Sequence, residues 1–306
     1  RCNIVTVSTD ELPYEEKTII DHSSSEISTE DAAVLLEAVR KELENDIYKF
    51  YVGTSYRHLT IWDKGEVVDL TPPHDVLGQK IGQYLPKDDK LREMMKKSYD
   101  ILSNHPINVE RMKRGLNPAN SLWFWGAGTR PMLTSFEEKT GHKGAMISAV
   151  DLLKGIAVGA GMKVIEVEGA NGGLDTNYEG KADAAVDVLL NGGCDFAYIH
   201  LEAPDEMGHQ GSYERKVKAI ENLDKRIIKR VVEKMEAAGE DFRMLVLPDH
   251  PTPVAIRTHV SDPVPYMLYD STDKKNNTWS YNEKDGEASG NYIAEGHTII
   301  NRLFEK

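Results

Sequence analysis

From about Lys96 to its end, this 306-residue chain alternates short apolar runs with amphipathic stretches, and that alternation limits the available folds more than any other feature. "SLWFWGAG" (121–128), "KGAMISAV" (143–150), "KVIEVEG" (163–169), "CDFAYIHLEA" (194–203), "DFRMLVLPDH" (241–250) and "VPYMLYD" (264–270) each have the length and composition of a strand. Between them lie helical patterns, clearest over 212–238, where Val217, Ile220, Leu223, Ile227, Val231 and Met235 recur at three- and four-residue spacing before Gly239. Such a succession predicts an α/β fold, a mostly parallel sheet flanked by helices. Residues from about Ser23 to Lys90 read differently. A helix opens at "ISTEDAAVLLEAVRKEL" with Ser28 or Thr29 as its cap, followed by the aromatic, β-rich "YKFYVGTSYRHLTIWDKGEVVDL", predicted to be a hairpin turning at Asp63-Lys64-Gly65. The expected division is therefore 1–21 with 91–306 as the main body and 22–90 as a smaller inserted α+β domain, with the polar stretch 270–291 a loop.

Charge and cysteine usage narrow the functions. The chain carries 50 acidic and 37 basic residues, a formal charge of −13, and no Lys/Arg-rich block, which argues against nucleic acid because phosphate neutralisation needs concentrated positive charge. A few converging Arg or Lys could still bind a small phosphorylated substrate. Cys2 and Cys194 have neither metal-type nor redox-type spacing and read as reduced thiols. No apolar run approaches the roughly 20 residues of a membrane span, so no membrane partner is expected and a cytoplasmic location is. Oligomeric state is not legible. The opening Arg1, entering at once on "RCNIVTV", reads as a chain cut from something longer.

In an α/β sheet, ligands collect at the carboxyl ends of strands, so a polar residue just past an apolar strand is placed at a site by topology. Three such points occur: Asp205 and His209 after 194–203, Asp249-His250 after "MLVLP", and His259 in "IRTHVSDPVP". Two aspartates and three histidines form a mixed oxygen and nitrogen set suited to Mn²⁺ or Zn²⁺. Neighbouring side chains diverge on most backbones, so Asp249 and His250 can serve one centre only if the chain is specially shaped, as Pro248 and Pro251 would shape it. Taken singly, each residue reads better as a helix cap, a satisfied loop histidine or a turn. The five together favour a metal centre. Trp123, Trp125, Met94 and Met95 read as core, and His74, His105, His142 and His200 as structural.

"EAPDEMGH", "LPDHPTP" and "RTHVSDPVP", with "DHSSSEIS", "SYRH", "TPPHD", "NPANSLWFWGAG" and "KGAMISAVDLLKGIA", resemble the archaeal-type cofactor-independent phosphoglycerate mutases of the alkaline phosphatase superfamily over essentially the whole chain. The resemblance implies an alkaline-phosphatase-like body with two divalent ions, Mn or Zn. Asp205, His209 and His259 would hold one, and Asp249 with His250 would help hold the other. It further implies transfer of phosphate from C3 of 3-phosphoglycerate to an enzyme serine and back to C2, without bisphosphoglycerate. The substrate side needs cations, and the motifs point to His22, Arg57 and His58, with Arg130 and Lys143 also candidates to face a cleft; an arginine can grip carboxylate and phosphate oxygens bidentately. This sequence departs from the family at its start, where the Gly-Asp-Gly-type turn and the nucleophilic serine are not found. The catalytic serine is thus expected upstream of Arg1, and this chain by itself is expected to be inactive. Ser23–Ser25 follow "DH" and fall at the substrate end of the pattern instead. The alternatives are a homoserine-kinase-like relative, another phosphotransferase or phosphatase of the superfamily, and a non-catalytic phosphate-binding piece.

Overall fold

A computed structural model describes residues 1–273 and 278–305. The chain forms two compact units, Arg1–Arg130 and Pro131–Lys306. In the first, strands β1 (Cys2–Val7) and β2 (Ile19–Asp21) precede helix α1 (Thr29–Leu43), then come β3 (Tyr48–Tyr51), β4 (Arg57–Trp62), α2 (Asp89–Leu102), α3 (Pro106–Lys113) and β5 (Ser121–Phe124). Every pairing is antiparallel: β1 lies between β5 on one edge and β4 and β2 on the other, and β3 pairs with β4. With both edges paired and both faces covered, all six residues of β1 are buried. Ser28 caps α1 by accepting from the Asp31 amide, and Asp88 caps α2 by accepting from that of Leu91. The two helices bury Leu35, Leu36 and Val39, and Leu91, Met95 and Leu102, against the sheet. Each such side chain contributes about 1.5–3 kcal/mol.

This unit corrects three expectations. Residues 1–21 belong with 22–130, because β1 shares its hydrogen bonds with β4 and β5, so the boundary falls after Arg130 and not at 21 and 91. The strand at 121–124 is antiparallel and belongs to this sheet, not to the parallel one. Asp63-Lys64-Gly65 is a turn, with Lys64 at φ 53°, but it ends β4. The link between β3 and β4 runs through 52–56, where Ser55 takes φ 56°. Composition marks a strand or a turn; it does not encode which partner the strand chooses.

The second unit holds α4 (Phe136–Thr140), β6 (Gly144–Ile147), α5 (Asp151–Gly159), β7 (Lys163–Val164), α6 (Tyr178–Leu190), β8 (Phe196–Ile199), α7 (Ala203–His209), α8 (Tyr213–Asn222), α9 (Lys229–Ala238), β9 (Arg243–Val246), β10 (Met267–Asp270), α10 (Glu283–Ala288) and α11 (Asn301–Phe304). Strands β7, β6 and β8 form the expected parallel sheet, and β9 pairs antiparallel with β10. The periodic stretch 212–238 is one continuous helical run in which α8 passes through a wide turn at Leu223–Ile228 into α9, closed by Gly239 at φ 74°. Arg226 and Arg230 grip Glu179 and Asp183 of α6 bidentately at 2.6–2.9 Å, fixing the run against α6. Ala182, Val186, Ala203, Met207, Ile227, Val231 and Met235 fill the space between these helices. The expected loop 270–291 contains α10, and its residues 274–277 lie outside the described residues. Among the described residues, no helix is long and apolar enough to cross a membrane.

Candidate metal centre

Asp205 and His209 stand one turn apart on α7, directly after β8, so the i,i+4 spacing puts both on one face. His259 is brought to them from the loop after β9. Its Nε2 lies 3.4 Å from Asp205 Oδ1 and 3.0 Å from His209 Nε2, and His209 Nε2 lies 3.3 Å from Asp205 Oδ2. Among the described residues this is the one group of three such side chains whose donor atoms fall within 4.8 Å of one another.

The hydrogen bonds around these rings decide whether they suit a metal. His209 Nδ1 is 3.0 Å from the Arg257 carbonyl oxygen. A carbonyl only accepts, so Nδ1 carries a proton, and in the neutral ring the lone pair is then on Nε2, the nitrogen that faces Asp205 and His259. That is the tautomer a metal ligand needs, set by a backbone partner as in known metal sites. A carboxylate and two imidazoles fit a borderline divalent cation.

His250 enters by a shorter route. Its ring centroid lies 3.8 Å from that of His259, and its Nδ1 is 3.3 Å from Thr252 Oγ1, while the Thr252 hydroxyl donates to Asp205. Thr252 thus ties the 249–252 turn to α7, and Lys216 holds the same turn by donating to the Thr252 carbonyl at 2.6 Å. Gly208 makes the approach possible, since a Cβ there would sit 2.4 Å from the Thr252 carbonyl oxygen. Asp249 is exposed, with Oδ2 3.4 Å from His250 Nε2. The five residues named from sequence are therefore brought to one locality, three of them tightly.

At the carboxyl ends of β6 and β8 a further pair goes beyond the sequence reading. Ser148 Oγ lies 3.2 Å from His200 Nδ1 and accepts from the Val150 amide, and Lys181, almost wholly buried, donates to the His200 carbonyl at 3.2 Å. Burial lowers the pKa of His200, helped by Lys181, and burial with neighbouring carboxylates raises that of Glu202. The strand-end rule that found Asp205 would have found both Ser148 and His200.

The substrate candidates divide. In the first unit His22 packs edge-on to Tyr56 and His74, with ring centroids 5.6 and 5.5 Å away, and exposed Arg57 lays its guanidinium over Tyr56 at 4.2 Å. His58 is corrected: strand alternation turns it to the opposite face from Arg57, opposite Cys2, where it is buried and accepts from the Gly53 amide. Lys143 is corrected too. It precedes β6, at the amino end of the strand, where its backbone is bound by Asp195. Arg130 is exposed at the last position of its unit, and among the described residues no hydrogen bond or ion pair joins it to the other candidates. Ser23–Ser25 are structural: Asp21 accepts from Ser23 and Ser25, and Arg111 donates to the Ser24 carbonyl.

Residues 53–295 match the Metalloenzyme superfamily. The chain is 50% identical over 279 residues to the 2,3-bisphosphoglycerate-independent phosphoglycerate mutase of Methanosarcina barkeri, covering 90% of this chain and 68% of that protein. It is 40% identical over 307 residues to the enzyme of the same name from Methanothrix thermoacetophila, covering 99% of this chain and 76% of the relative. Among solved structures, the PH0037 protein from Pyrococcus horikoshii superimposes with a TM-score of 0.74 at 25% identity, covering 99% of this chain and 71% of that one. The cofactor-independent phosphoglycerate mutase from Thermoplasma acidophilum does so with a TM-score of 0.63 at 23% identity, covering 99% and 75%.

Proposed function

We propose, for a chain that belongs to the Metalloenzyme superfamily and within it to the 2,3-bisphosphoglycerate-independent phosphoglycerate mutases, that Asp205, His209 and His259 hold one divalent ion and that Asp249 and His250 contribute to a second. Family membership makes this a metal-dependent isomerase of glycolysis that interconverts 3-phosphoglycerate and 2-phosphoglycerate. The observation that carries the metal assignment is the His209 Nδ1 contact with the Arg257 carbonyl, which in the neutral ring puts the lone pair on Nε2, toward Asp205 and His259. The ions, when bound, would neutralise phosphoryl oxygens and favour the ionised form of a nearby hydroxyl. Mn and Zn both suit the donor set.

The side chains have separable tasks. Asp205 supplies the negative charge that balances a cation, and its orientation is held by the Thr252 hydroxyl. Thr252 holds His250 in the same hydrogen-bonded chain, and Lys216 anchors Thr252 through its carbonyl. The chemistry proposed is transfer of the phosphoryl group from the C3 oxygen to a serine oxygen, the serine's proton being made up on the C3 oxygen as its bond to phosphorus breaks, and then from serine to the C2 oxygen, the C2 hydroxyl's proton being made up on the serine. In the first unit His22 and Arg57 are proposed to bind phosphoglycerate, Arg57 because it is exposed and always charged. A cytoplasmic location accompanies this reading. A kinase-like relative would need ATP, for which the sequence offers no Gly-rich phosphate loop.

The test is phosphorus NMR of 3-phosphoglycerate with Mn²⁺ and the protein in its full natural length. Appearance of 2-phosphoglycerate without bisphosphoglycerate, abolished by chelator and by Asp205→Ala, is the expected result. An unchanged spectrum from metal-loaded protein would reject the mutase reading.

A further inference from the structure

We infer that Asn3, His74 and Trp125 complete, around His22 and Arg57, a site in the first unit that reads the oxygens of a small phosphorylated hydroxy acid. This rests on the assignment of His22 and Arg57 to phosphoglycerate and adds three residues to which the sequence reading gives no part in binding.

The contacts close on themselves. Trp125 Nε1 donates to Asn3 Oδ1 at 3.0 Å, and the Trp125 ring meets His74 edge-on with centroids 4.8 Å apart. His74 meets His22 at 5.5 Å, His22 meets Tyr56 at 5.6 Å, and Tyr56 lies under the Arg57 guanidinium at 4.2 Å. Arg57 in turn stands directly opposite Asn3 in the register of β1 and β4, so their side chains share a face of the sheet. Six residues from five stretches of sequence are thus linked contact by contact.

Two polar atoms of that ring have no partner among the described residues, Asn3 Nδ2 and His22 Nδ1, and both are buried. Asn3 as a whole is only 2% exposed. Its amide orientation is not arbitrary: the Trp125 indole N–H only donates, so the atom facing it is the carbonyl oxygen and the NH₂ group points elsewhere. A buried amide donor left unpaired is unfavourable, and an acceptor oxygen brought by a ligand removes that penalty. Exposed Arg57 supplies the charge that draws an anion, which by itself would accept any phosphate. The neutral Asn3 donor adds discrimination, because it rewards a ligand with a second acceptor group held at the right distance from the first. The chemistry recognised is therefore a carboxylate or hydroxyl together with phosphate on one small skeleton, in preference to inorganic phosphate.

The experiment is calorimetric titration of the full-length, chelator-treated protein with 3-phosphoglycerate and with inorganic phosphate, for wild type, Asn3→Leu, His74→Phe and Arg57→Ala. Asn3→Leu keeps the size, removes the amide donor and adds no charge beside Arg57, and it is expected to weaken 3-phosphoglycerate binding about 10- to 100-fold while leaving inorganic phosphate within about twofold. Because Asn3 is buried and a variant could fail to fold, the wild-type protein is also followed by nitrogen-resolved NMR, where the Asn3 side-chain amide is expected to shift on adding 3-phosphoglycerate. If Arg57→Ala loses binding while Asn3→Leu and His74→Phe retain it and the Asn3 amide does not move, this inference is overturned and the assignment of Arg57 stands. If Arg57→Ala also binds normally, both readings fall.

Discussion

The two units use histidine in opposite ways. In the first, His22 and His74 meet Tyr56, Trp125 and each other edge-on, at centroid distances of 4.8–5.6 Å. In the second, His209 and His259 bring Nε2 atoms to within 3.4 Å of Asp205 oxygens, and His209 has its other nitrogen committed to a backbone carbonyl. An imidazole among aromatic rings is a shape and an N–H donor; one between a carboxylate and a carbonyl is a lone pair with a fixed direction. The largest effect that follows is on metal content. Asp205→Ala or His259→Ala is expected to lower divalent-metal affinity roughly 1,000-fold, about 4 kcal/mol, whereas His74→Phe leaves it unchanged. Elemental analysis after dialysis against buffered Mn²⁺ checks this, and retention of metal by Asp205→Ala would break the comparison.

His58 belongs to neither class. Burial against the core depresses its pKa from 6.5 to about 4, so the folded chain keeps it neutral. Between those two values the unfolded chain binds more protons than the folded one, and stability therefore falls as the pH drops through that window and is fully present above it. The loss attributable to this one ring is at most on the order of 3 kcal/mol. Denaturant melts at neutral pH and near pH 4 should show the first unit of His58→Gln with much less acid sensitivity than wild type. Equal sensitivity in the two proteins would mean that His58 is not the group that titrates.

Thr252 sharpens the contrast on the metal side, because it touches both Asp205 and His250 without being a ligand itself. Thr252→Val keeps the shape and removes the hydroxyl. Its expected cost is about 10- to 100-fold in metal affinity, the usual range for a partner that orients ligands. Isothermal titration with Mn²⁺ measures it, and an unaltered affinity would show that Asp205 is oriented by α7 alone.

How much of this was legible in advance depended on the range of the interaction. Asp205 and His209 could be read because a strand end and an i,i+4 spacing are local facts, and Asp249-His250 likewise follow a strand. Adjacent Arg57 and His58 were read together, yet a strand sends neighbours to opposite faces, and that local rule would have separated them. Lys143 could have been set aside on the same footing, since it lies before its strand and not after it. The antiparallel pairing of β1 with β4 and β5 was not legible, because pairing direction is settled by contacts far along the chain. For the same reason sequence places Trp125 in the core and gives His74 a structural part: the contacts that join them to Asn3 and His22 form only when β1, β4 and the segments after β2 and β5 meet.

The smallest expected effect tests whether His22 is positioned by the turn that follows it. Asp21 accepts from the Ser23 amide and hydroxyl at 2.8 Å, from the Ser25 amide at 2.6 Å and from Asn117 Nδ2 at 2.9 Å. Three consecutive residues here, Ser24, Ser25 and Glu26, take φ of 51°, 55° and 48°, a left-handed path that non-glycine residues adopt only when held. Burial opposes ionisation of Asp21, but the bonds from Asn117, Ser23 and Ser25 outweigh it and hold the pKa at about 2, against 3.8 normally. The group therefore adds stability above its ordinary pKa, and that contribution is lost as the pH falls through the folded value. Asp21 is half-buried and still touches water, so solvent screening reduces the effect to about 1 kcal/mol. Asp21→Asn forfeits the oxygen that serves Ser25 and Asn117. It should lower the melting temperature by a few degrees at most, weaken 3-phosphoglycerate binding slightly through the adjacent His22, and leave metal affinity untouched. A change in metal affinity as large as the change in ligand affinity would mean that the two histidine groups are not independent, and the contrast between the units would have to be redrawn.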